Sequence, residues 1–372
     1  MKKKVVLISE SMGGGLRKHI LQLVEFLNKE KYDIYLIHGT NNVDEVFLEE
    51  KKKLSDFVSF IECSSFTRNV NLNRDIRTFI HLHKEIKRIN PEIVHCHSSK
   101  AGVLGRFAAK VNKTNKIFYT PHAFSFLSSE FTSLKRMVFI LIERLFGYIA
   151  TDIIFCVSKS EYKEAIKENI APDRKIKVIY NGLPEIKEKV NFDIRRNLQI
   201  DEKSVLIGNN ARLNDQKNPF LFLEIAKCVI SENNNFHFIW IGDGPLKEDI
   251  EKKISELNLE SNVHLLGNRT DSELIVAQYD VFLSTSNFEG LPYAVIESLR
   301  AGVPVLSTKI VGMDELINKE TGYYLPKIFN GKNIVDIIKI LMKLDQINIQ
   351  KYFKDNFSLQ EMIKKMETYY DN

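Results

Sequence analysis

The sequence predicts an α/β fold of two doubly wound parallel-sheet domains that face each other across a cleft. Short apolar runs without polar alternation, typical of strands covered on both faces, are separated by amphipathic runs of helical length. The chain has 372 residues, enough for two domains of ordinary size. A polar stretch at 183–191, with a proline and alternating Glu and Lys, divides the series into two halves.

Strands are predicted in both halves of the chain. Those of the first half are Val5–Ser9, Asp33–His38, Val58–Glu62, Ile93–His97, Lys116–Thr120, Ile153–Val157 and Lys177–Tyr180. Those of the second half are Val205–Asn209, His237–Ile241, Val263–Leu266, Val281–Ser284, Val303–Thr308 and Tyr323–Leu325. The helices between them include Gly15–Asn28, Asp75–Asn90, Pro219–Ile230 and Pro292–Arg300. In the helix at 75–90 we expect one core-facing stripe, formed by Ile76, Phe79, Ile80, His83, Ile86 and Ile89.

We expect a first Rossmann-like domain at 1–183 and a second at 192–355. A C-terminal helix at about 356–372 can cross back to pack on the first domain. No repeat or low-complexity tract is visible, which excludes a solenoid or a propeller. Because ligands of doubly wound sheets bind beyond the carboxyl ends of the strands, we expect the functional residues there.

Composition excludes several classes of protein. Hydrophobic residues make up 44% and charged residues 27% of the chain, the balance of a soluble globular protein without a long disordered region. The longest apolar run, Met137–Ile142, is far shorter than the roughly 20 residues that cross a bilayer, and Val5–Ile8 is too short for a signal-peptide core. The four cysteines include no CxxC pair, which fits reduced thiols in the cytoplasm and excludes a disulfide scaffold.

The net charge of +5 is unevenly distributed along the chain. Residues 1–182 carry 30 Lys and Arg against 20 Asp and Glu, whereas the remainder has a net charge of −5. A basic first half indicates an anionic partner, such as a phosphorylated substrate, a nucleic acid or an acidic membrane surface; Lys-rich solvated helix faces are the alternative. Nucleic acid is disfavoured because no basic run interleaved with aromatic residues accompanies the charge.

A glycine run, Gly13-Gly14-Gly15, follows the first predicted strand and precedes a helix. Such a run lets the backbone approach an anion at the helix start, although a tight turn is the alternative. The run is not GxGxxG, and the second strand ends at His38-Gly39 without the acidic residue that binds a ribose. A nicotinamide-dependent dehydrogenase is therefore disfavoured.

Histidines lie at the ends of two predicted strands of the first half. His95 and His97 could share one face, but a metal ion needs further ligands and no third one stands nearby in the sequence. His122 follows Tyr119-Thr120-Pro121 at a strand end, where a catalytic side chain would project, although a structural role is the alternative. A metal site is therefore not predicted.

In the second half, Arg212 and Lys217 occupy one loop after a predicted strand. A planar guanidinium and a point charge five residues apart could together neutralise a diphosphate, or they could be two surface cations. The turn after the next strand contains Gly242-Asp243-Gly244, whose glycines can simply shape that turn.

Glu289 and Glu297 bracket the start of a predicted helix, with Pro292 expected at its first position. The backbone amides around this helix start would lack helical partners and could hold a phosphate or sugar oxygen. At a rise of 1.5 Å per residue, the two acids would lie up to about 12 Å apart, beyond the separation of a glycosidase's paired carboxylates. We therefore expect Glu289 and Glu297 to have different roles.

Taken in chain order, these segments resemble the motifs of the retaining glycosyltransferases of family four, which have the GT-B fold. The matching segments extend along nearly the whole chain and are Gly13–Gly15, Val94–Gly102, Thr120–Ser125, Val157–Ser160, Tyr180–Gly182, Arg212 with Lys217, Gly242–Pro245 and Glu289 with Glu297. The resemblance implies transfer of a sugar from a nucleotide-sugar to a hydroxyl group, with retention at the anomeric carbon. It also implies no metal or other cofactor, in keeping with the absence of an Asp-x-Asp motif.

The resemblance implies a role for each motif residue. The implied catalytic residues are His122, Glu289, Arg212 and Lys217. The implied donor-binding residues are Gly14, Gly15, Arg212, Lys217, Gly242, Glu289, Gly290, Leu291 and Glu297. The implied acceptor-binding residues are His97, Ser98 and Lys100. In the family's front-face mechanism the leaving phosphate itself accepts the acceptor's proton, so no separate general base is required.

The sequences of His95–Gly102 and His122–Ser125 resemble those of the bacterial subgroup that builds capsule, exopolysaccharide or O-antigen units on a polyprenyl diphosphate lipid. That resemblance implies a lipid-linked or growing glycan as acceptor, and a UDP-sugar is the favoured donor. It also implies a cytoplasmic protein that can bind the anionic inner face of the cell membrane, which the basic first half would suit. The segment Phe124–Ile149 could rest on this surface, although we expect its apolar face to pack on the sheet.

Two positions depart from the family pattern. Ala123 stands where relatives often have Gly after the histidine, and Met313 stands where a second Gly often follows Gly312. Two alternative functions on the same architecture are open. One is a sugar-nucleotide epimerase or hydrolase, for which no acid/base pair is evident, and the other is a non-catalytic nucleotide-sugar-binding partner of another enzyme.

Overall fold

A computed structural model of the chain describes residues 2–67, 70–128, 131–185 and 193–372. The chain divides into two compact units, residues 1–181 with 359–372, and residues 182–358. The expected domain ranges, 1–183 and 192–355, flank a polar linker at 183–191, of which residues 186–191 lie outside the described residues.

The first unit contains a parallel sheet of seven strands in the order β3-β2-β1-β4-β5-β6-β7. Its strands are β1 (Lys3–Ser9), β2 (Tyr32–Gly39), β3 (Val58–Cys63), β4 (Ile93–His97), β5 (Lys116–Thr120), β6 (Ile153–Cys156) and β7 (Ile176–Val178). The helices between them are α1 (Gly14–Phe26), α2 (Glu45–Leu54), α3 (Leu72–Ile89), α4 (Ser99–Val111), α5 (Ser133–Ile149) and α6 (Lys159–Lys167). Apolar cores cover both faces of the sheet, so β4 is buried at every residue.

The second unit contains a parallel sheet of six strands in the order β10-β9-β8-β11-β12-β13. Its strands are β8 (Val205–Asn210), β9 (Phe236–Ile241), β10 (Val263–Leu265), β11 (Val281–Ser284), β12 (Val305–Ser307) and β13 (Gly322–Tyr324). Its helices are α7 (Ile194–Asn197), α8 (Pro219–Glu232), α9 (Lys247–Glu256), α10 (Ser272–Val276), α11 (Tyr293–Ala301), α12 (Gly331–Leu341) and α13 (Gln346–Asn356). The predicted fold class, two doubly wound parallel sheets, is confirmed.

The last helix, α14 (Leu359–Asp371), belongs to the first unit. Its buried face joins the apolar core of that unit, where the Tyr370 ring stacks on Phe118 with the ring centroids 5.5 Å apart. The Tyr370 hydroxyl lies 2.7 Å from Nδ1 of His95, and Tyr32 donates a hydrogen bond of 2.6 Å to Asp371. The C-terminus is therefore anchored to the first sheet by both packing and polar contacts.

In two helices, some of the residues that the sequence assigns to the core are exposed. Helix α3 buries Thr78, Leu82, Ile86 and Ile89, whereas Ile76 and Ile80 of the expected stripe are exposed. Ile86 and Ile89 of the stripe are buried as predicted, and Phe79 packs against the core, so the prediction is wrong only toward the start of the helix, at Ile76 and Ile80.

Helix α5 also departs from expectation. Its buried residues are Ile140, Glu143 and Gly147, while the apolar stripe formed by Leu134, Met137, Leu141 and Leu145 is exposed. The expectation that the apolar face of Phe124–Ile149 packs on the sheet is therefore wrong for this stripe. Residues 129 and 130 of that segment lie outside the described residues. Among the described helices, α5 included, there is none with the length and apolar character that crossing a bilayer requires.

Both sheets have a switch point at which the chain reverses the direction in which it adds strands. In the first unit it lies between β1 and β4, and in the second between β8 and β11. Loops that leave the carboxyl ends of the two central strands diverge there, which makes the switch point the usual place for a ligand. The candidate residues of each unit are described around these two points.

Candidate active site

Two loops meet at the switch point of the second unit. The β8 loop, residues 211–218, carries Arg212 and Lys217, and the β11 loop, residues 285–292, carries Glu289. Asn287 in the second loop donates from its backbone amide to the Gln216 carbonyl (2.8 Å) and from its side chain to the Asp215 carbonyl (2.7 Å). These bonds hold the two loops in register although they are about 70 residues apart in the chain.

Lys217 and Glu289 form an ion pair across these loops. Lys217 Nζ contacts Glu289 Oε1, and the same carboxylate oxygen accepts a hydrogen bond of 2.7 Å from the Ser286 hydroxyl. The Glu289 side chain is only 8% exposed, whereas the Lys217 side chain is 21% exposed. The lysine therefore keeps part of its surface open to a ligand while one side of its ammonium group is held by a fixed carboxylate.

Arg212 is an exposed cation on the β8 loop. Among the described residues, its guanidinium makes no ion pair or hydrogen bond. Next to it, the glycine turn of Gly242 packs on the backbone of the β8 loop, because a Cβ atom at Gly242 would lie 2.1 Å from the Ala211 carbonyl oxygen. Gly242 has φ +131°, so its place in this turn is explained by backbone shape. Its contribution to donor binding stays a prediction.

Helix α11 begins at Tyr293, one residue later than predicted. Pro292 is the N-cap, with ψ 123°, and not the first helical residue. The amide of Gly290, two residues before the cap, donates no hydrogen bond within the described part of the chain. Glu297 lies in the second turn of α11 and is buried. The helix start thus presents backbone donors next to the Lys217–Glu289 pair.

Gly312 explains how the β11 loop keeps its shape. Its φ is +90°, and a Cβ atom there would lie 2.5 Å from the Gly290 carbonyl oxygen and 2.9 Å from that of Glu289. A side chain at this position would therefore displace Glu289. Met313, where a second glycine is common, is fully buried and fills core space instead.

In the first unit, Glu10 and Ser98 join the two sides of the switch point. Glu10 follows β1 and is buried, and its carboxylate accepts a hydrogen bond from the hydroxyl of Ser98, which follows β4. Ser98 has φ +71°, a conformation that costs energy for a residue with a side chain. Such strain, maintained by surrounding contacts, is frequent at functional sites.

Strained backbone also carries His122. His122 has φ +54° and Ala123 has φ +80°, so two successive residues with side chains adopt the left-handed conformation. The buried Glu161 supports this turn, since its carboxylate accepts hydrogen bonds from the amides of Ala123 (2.8 Å) and Val157 (2.7 Å). Burial raises the pKa of Glu161 to about 7, and its bonds to backbone amides oppose that shift.

Three histidines come together at this end of the first sheet. His97, the last residue of β4, places Nδ1 3.2 Å from Nε2 of His122, and the His19 ring from α1 stands edge-on to His122 with the centroids 4.5 Å apart. Burial lowers the pKa of His19 to about 4 and those of His97 and His122 well below the ordinary value. All three imidazoles are therefore neutral at pH 7.

Other predicted residues of this unit already have protein partners. Lys100 forms an ion pair of 2.6 Å with Asp75, and both side chains are less than one-fifth exposed. The amide of Gly14 donates to the Asp44 carboxylate (3.3 Å), which also binds Arg17 Nη1 at 2.6 Å. A carboxylate thus stands at the start of α1, where an anion was predicted. An incoming ligand has to displace it or bind beside it.

Sequence reasoning missed four residues that position the candidates. Ser286 donates a hydrogen bond to Glu289, and Glu161 accepts one from the His122 turn. His19 packs on His122, and the Asn181 side-chain oxygen accepts a hydrogen bond of 3.0 Å from Nδ1 of His19. The Ser158-x-x-Glu161 spacing, a capping pattern, was a visible signal for Glu161. No local signal distinguishes His19 from an ordinary core histidine, because its neighbours come from distant strands.

Replacing Ala123 by glycine is expected to stabilise the protein by about 0.5–1 kcal/mol. Glycine removes the penalty for a side chain at φ +80°, about 1–2 kcal/mol, and part of this gain is lost to the greater freedom of the unfolded chain. Urea unfolding of Ala123→Gly against the parent measures the difference. Ala108→Gly, inside α4, is the matched control and should destabilise by about 1 kcal/mol or more. A loss of stability in Ala123→Gly would contradict the strain assigned to the turn.

Comparison with solved structures defines the class of fold. A crystal structure of Anabaena Alr3699/HepE in complex with UDP-glucose superposes with a TM-score of 0.80 at 18% sequence identity, and the match covers 100% of each chain. The fold is therefore that of the GT-B glycosyltransferases, as the sequence predicted.

Comparison of sequences then identifies the family. Residues 13–185 match the family described as Glycosyltransferase Family 4, and residues 190–358 match the family described as Glycosyl transferases group 1. The chain therefore belongs to the glycosyltransferases that combine these two domains.

Two bacterial relatives align along most of the chain. One is the UDP-Gal:alpha-D-GlcNAc-diphosphoundecaprenol alpha-1,3-galactosyltransferase of Escherichia coli, at 29% identity over 96% of this chain and 93% of the relative. The other is the capsular polysaccharide biosynthesis glycosyltransferase CapM of Staphylococcus aureus, at 24% identity over 94% of this chain and 92% of the relative.

Proposed function

We propose that this glycosyltransferase moves a sugar from a UDP-sugar to a lipid-linked or growing glycan acceptor in the synthesis of a bacterial surface polysaccharide. The transfer retains the anomeric configuration and needs no metal ion. One observation carries the proposal. The loop after β8 holds a partly exposed lysine and an exposed arginine, and the lysine pairs with a buried glutamate on the loop that leads to the uncapped start of α11. This arrangement suits a sugar joined to a diphosphate.

In this proposal the second unit binds the donor. Lys217 and Arg212 neutralise the charge that develops on the departing diphosphate, and the amide of Gly290 donates to a donor oxygen. Glu289, fixed by Lys217 and Ser286, accepts hydrogen bonds from sugar hydroxyls and orients the sugar ring. Glu297 accepts hydrogen bonds from the ribose.

The reaction then needs few proton-transfer groups. The acceptor hydroxyl attacks on the face that the leaving diphosphate vacates, and a phosphate oxygen takes its proton. His122, held by the strained turn, contacts the transferred sugar as a neutral imidazole. The neutral ring suits a hydrogen bond to a hydroxyl group and adds no charge beside the developing positive centre of the sugar.

The proposed donor and acceptor are also supported by the activities of two relatives. The Escherichia coli relative uses UDP-Gal and an acceptor linked to diphosphoundecaprenol, and CapM belongs to capsular polysaccharide biosynthesis. UDP is therefore the favoured donor nucleotide and a polyprenyl diphosphate glycan the favoured acceptor. The +10 charge of residues 1–182 suits such an anionic, membrane-bound substrate.

We further propose that the exposed stripe of α5 binds the inner face of the cell membrane. Leu134, Met137, Leu141 and Leu145 are 50–67% exposed and follow one another at helical spacing. Lys135 lies beside the stripe and is exposed. An apolar stripe bordered by cations is typical of helices that lie in the headgroup region of an anionic bilayer.

Mutating this stripe tests membrane binding. Leu141→Glu with Leu145→Glu is expected to weaken binding to phosphatidylglycerol vesicles at least tenfold in co-sedimentation, since one buried leucine contributes about 1.5–3 kcal/mol. Ile347→Glu, an exposed apolar residue of the second unit, is the control and should bind like the parent. Equal binding of all three proteins to phosphatidylglycerol would contradict the assignment of α5.

Chelation tests metal independence. Transfer is expected to continue at the full rate after dialysis against EDTA, because Lys217, Arg212 and helix amides supply the positive charge that a metal ion would otherwise provide. A rate that falls in EDTA and returns with Mg²⁺ or Mn²⁺ would contradict this part of the proposal.

The decisive assay combines a panel of UDP-sugars with a polyprenyl-diphosphate-linked sugar. The expected result is UDP release that requires the acceptor, together with a product whose anomeric configuration by NMR equals that of the donor. UDP release without acceptor would indicate a hydrolase, and interconversion of UDP-sugars would indicate an epimerase. Donor binding without turnover across the panel would indicate a non-catalytic partner.

A further inference from the structure

Three histidines from distant segments place imidazole nitrogens in one cluster in the first unit. His19 from α1, His97 from the end of β4 and His122 after β5 each offer one nitrogen, and these three atoms lie within 4.8 Å of one another. His97 Nδ1 and His122 Nε2 are 3.2 Å apart. A tetrahedral zinc ion with bonds of about 2.0–2.1 Å holds its nitrogen ligands about 3.4 Å apart, so this pair is already at ligand spacing.

A hydrogen bond within the protein fixes the orientation of His19. Nδ1 of His19 lies 3.0 Å from the Asn181 side-chain oxygen, which can only accept, so Nδ1 carries the proton. The other nitrogen of His19, Nε2, then holds a lone pair. A ligand histidine oriented by a second hydrogen bond is the usual arrangement in metal sites.

We propose that His19, His97 and His122 bind one divalent transition-metal ion of the zinc type. Three imidazoles without a carboxylate favour Zn²⁺, Co²⁺ or Ni²⁺ over Mg²⁺, Ca²⁺ or Mn²⁺. Three protein ligands leave a fourth position for water or a substrate oxygen. The ion takes no part in the transfer reaction. When it is bound, the imidazole of His122 is one of its ligands.

One consequence rests on the proposed function, whereas metal binding itself does not. Because the ion takes the His122 nitrogen that would contact the sugar, Zn²⁺ inhibits transfer. The metal-free protein is then the active form, and a chelator preserves or raises the rate. The cluster would thereby make the enzyme sensitive to free zinc.

Titration of the 372-residue protein with Co²⁺ tests the site. We expect a visible absorption band of four-coordinate Co²⁺ that saturates at one equivalent and disappears when Zn²⁺ is added. His19→Gln should abolish the band, since glutamine can keep the contact with Asn181 but offers no imidazole. Asn181→Ala should weaken Co²⁺ binding about 10–100-fold by removing the group that orients His19.

A second histidine pair provides the matched control. His237 and His264 in the second unit have ring nitrogens 3.2 Å apart, so they are a competing place for Co²⁺. His264→Ala should leave the band and its stoichiometry unchanged. Loss of the band in His264→Ala, or its survival in a folded His19→Gln protein, would overturn the proposal, and circular dichroism establishes that each variant is folded.

The activity assay separates this inference from the proposed function. Inhibition of transfer by Zn²⁺ in the parent but not in His19→Gln supports both. If no donor and acceptor give transfer, the Co²⁺ band still decides the metal site. If the Co²⁺ band appears but Zn²⁺ does not inhibit transfer, the metal site is supported and the proposed effect of the ion on His122 is wrong.

Discussion

Lys217→Ala is expected to lower the turnover number for sugar transfer by about a thousandfold. Lys217 is the cation closest to Glu289, and its removal takes away the charge that would stabilise the departing diphosphate. Deleting one group that stabilises a developing anion costs about 10²–10³ in rate, and a full cation on a transferring phosphoryl group can cost more. Steady-state kinetics with a saturating donor measure the loss, and Lys217→Arg should recover part of it.

The controls separate a catalytic effect from a loss of structure. Lys217→Ala also leaves the buried Glu289 carboxylate without its ion-pair partner, so part of the change could be a weakened β11 loop. Circular dichroism and donor binding test this. Lys247→Ala removes a lysine of the same unit that is 44% exposed, and it should turn over like the parent. Parental turnover in a folded Lys217→Ala protein would refute the diphosphate assignment.

Lowering the pH from 7 to 5 is expected to destabilise the first unit by several kcal/mol. Burial lowers the pKa of His19 to about 4 and those of His95, His97 and His122 well below 6.5. The unfolded chain binds protons on these imidazoles as the pH falls through about 6.5, whereas the folded unit does not. Each histidine therefore removes up to about 1.4 kcal/mol of stability per pH unit below that point.

Glu161 acts with the opposite sign. Its pKa is raised to about 7, so between its ordinary value near 4.5 and pH 7 the folded unit holds a proton that the unfolded chain releases. This single group adds stability as the pH falls, and it cannot offset four histidines.

Urea unfolding at several pH values measures the balance. Circular dichroism follows both units, and the fluorescence of Trp240, the single tryptophan, follows the second unit alone. His19→Gln should reduce the slope of the first transition by up to about 1.4 kcal/mol per pH unit. Equal stability of the parent's first unit at pH 7 and pH 5 would show that these histidines are not held neutral.

The strands of both sheets could be predicted because a strand that is buried on two faces is a short apolar run without polar alternation. All thirteen were found, with ends that agree within two residues, as at Ile93–His97 and Lys116–Thr120. The apolar positions of helices are less informative, because a helix can carry more apolar residues than its sheet covers. That is why Ile76 was assigned to the core although it is 49% exposed.

The candidate site could be predicted only to the level of separate loops. Lys217 and Glu289 were each recognised from their position at a strand end, but their ion pair depends on β8 lying next to β11. The histidine cluster shows the same limit. The positions of His97 and His122 at strand ends can be predicted from the sequence. His19 contacts them only because α1 packs against the sheet, and no local sequence pattern predicts this contact.

A crystal structure of the protein with UDP bound is the most direct test of how the donor is held. We expect the diphosphate within hydrogen-bond distance of Lys217 Nζ and the Arg212 guanidinium, at the start of α11, with the ribose against Glu297. A diphosphate bound away from both cations, with the Lys217–Glu289 ion pair unchanged and no ligand at the α11 start, would contradict the proposed donor site.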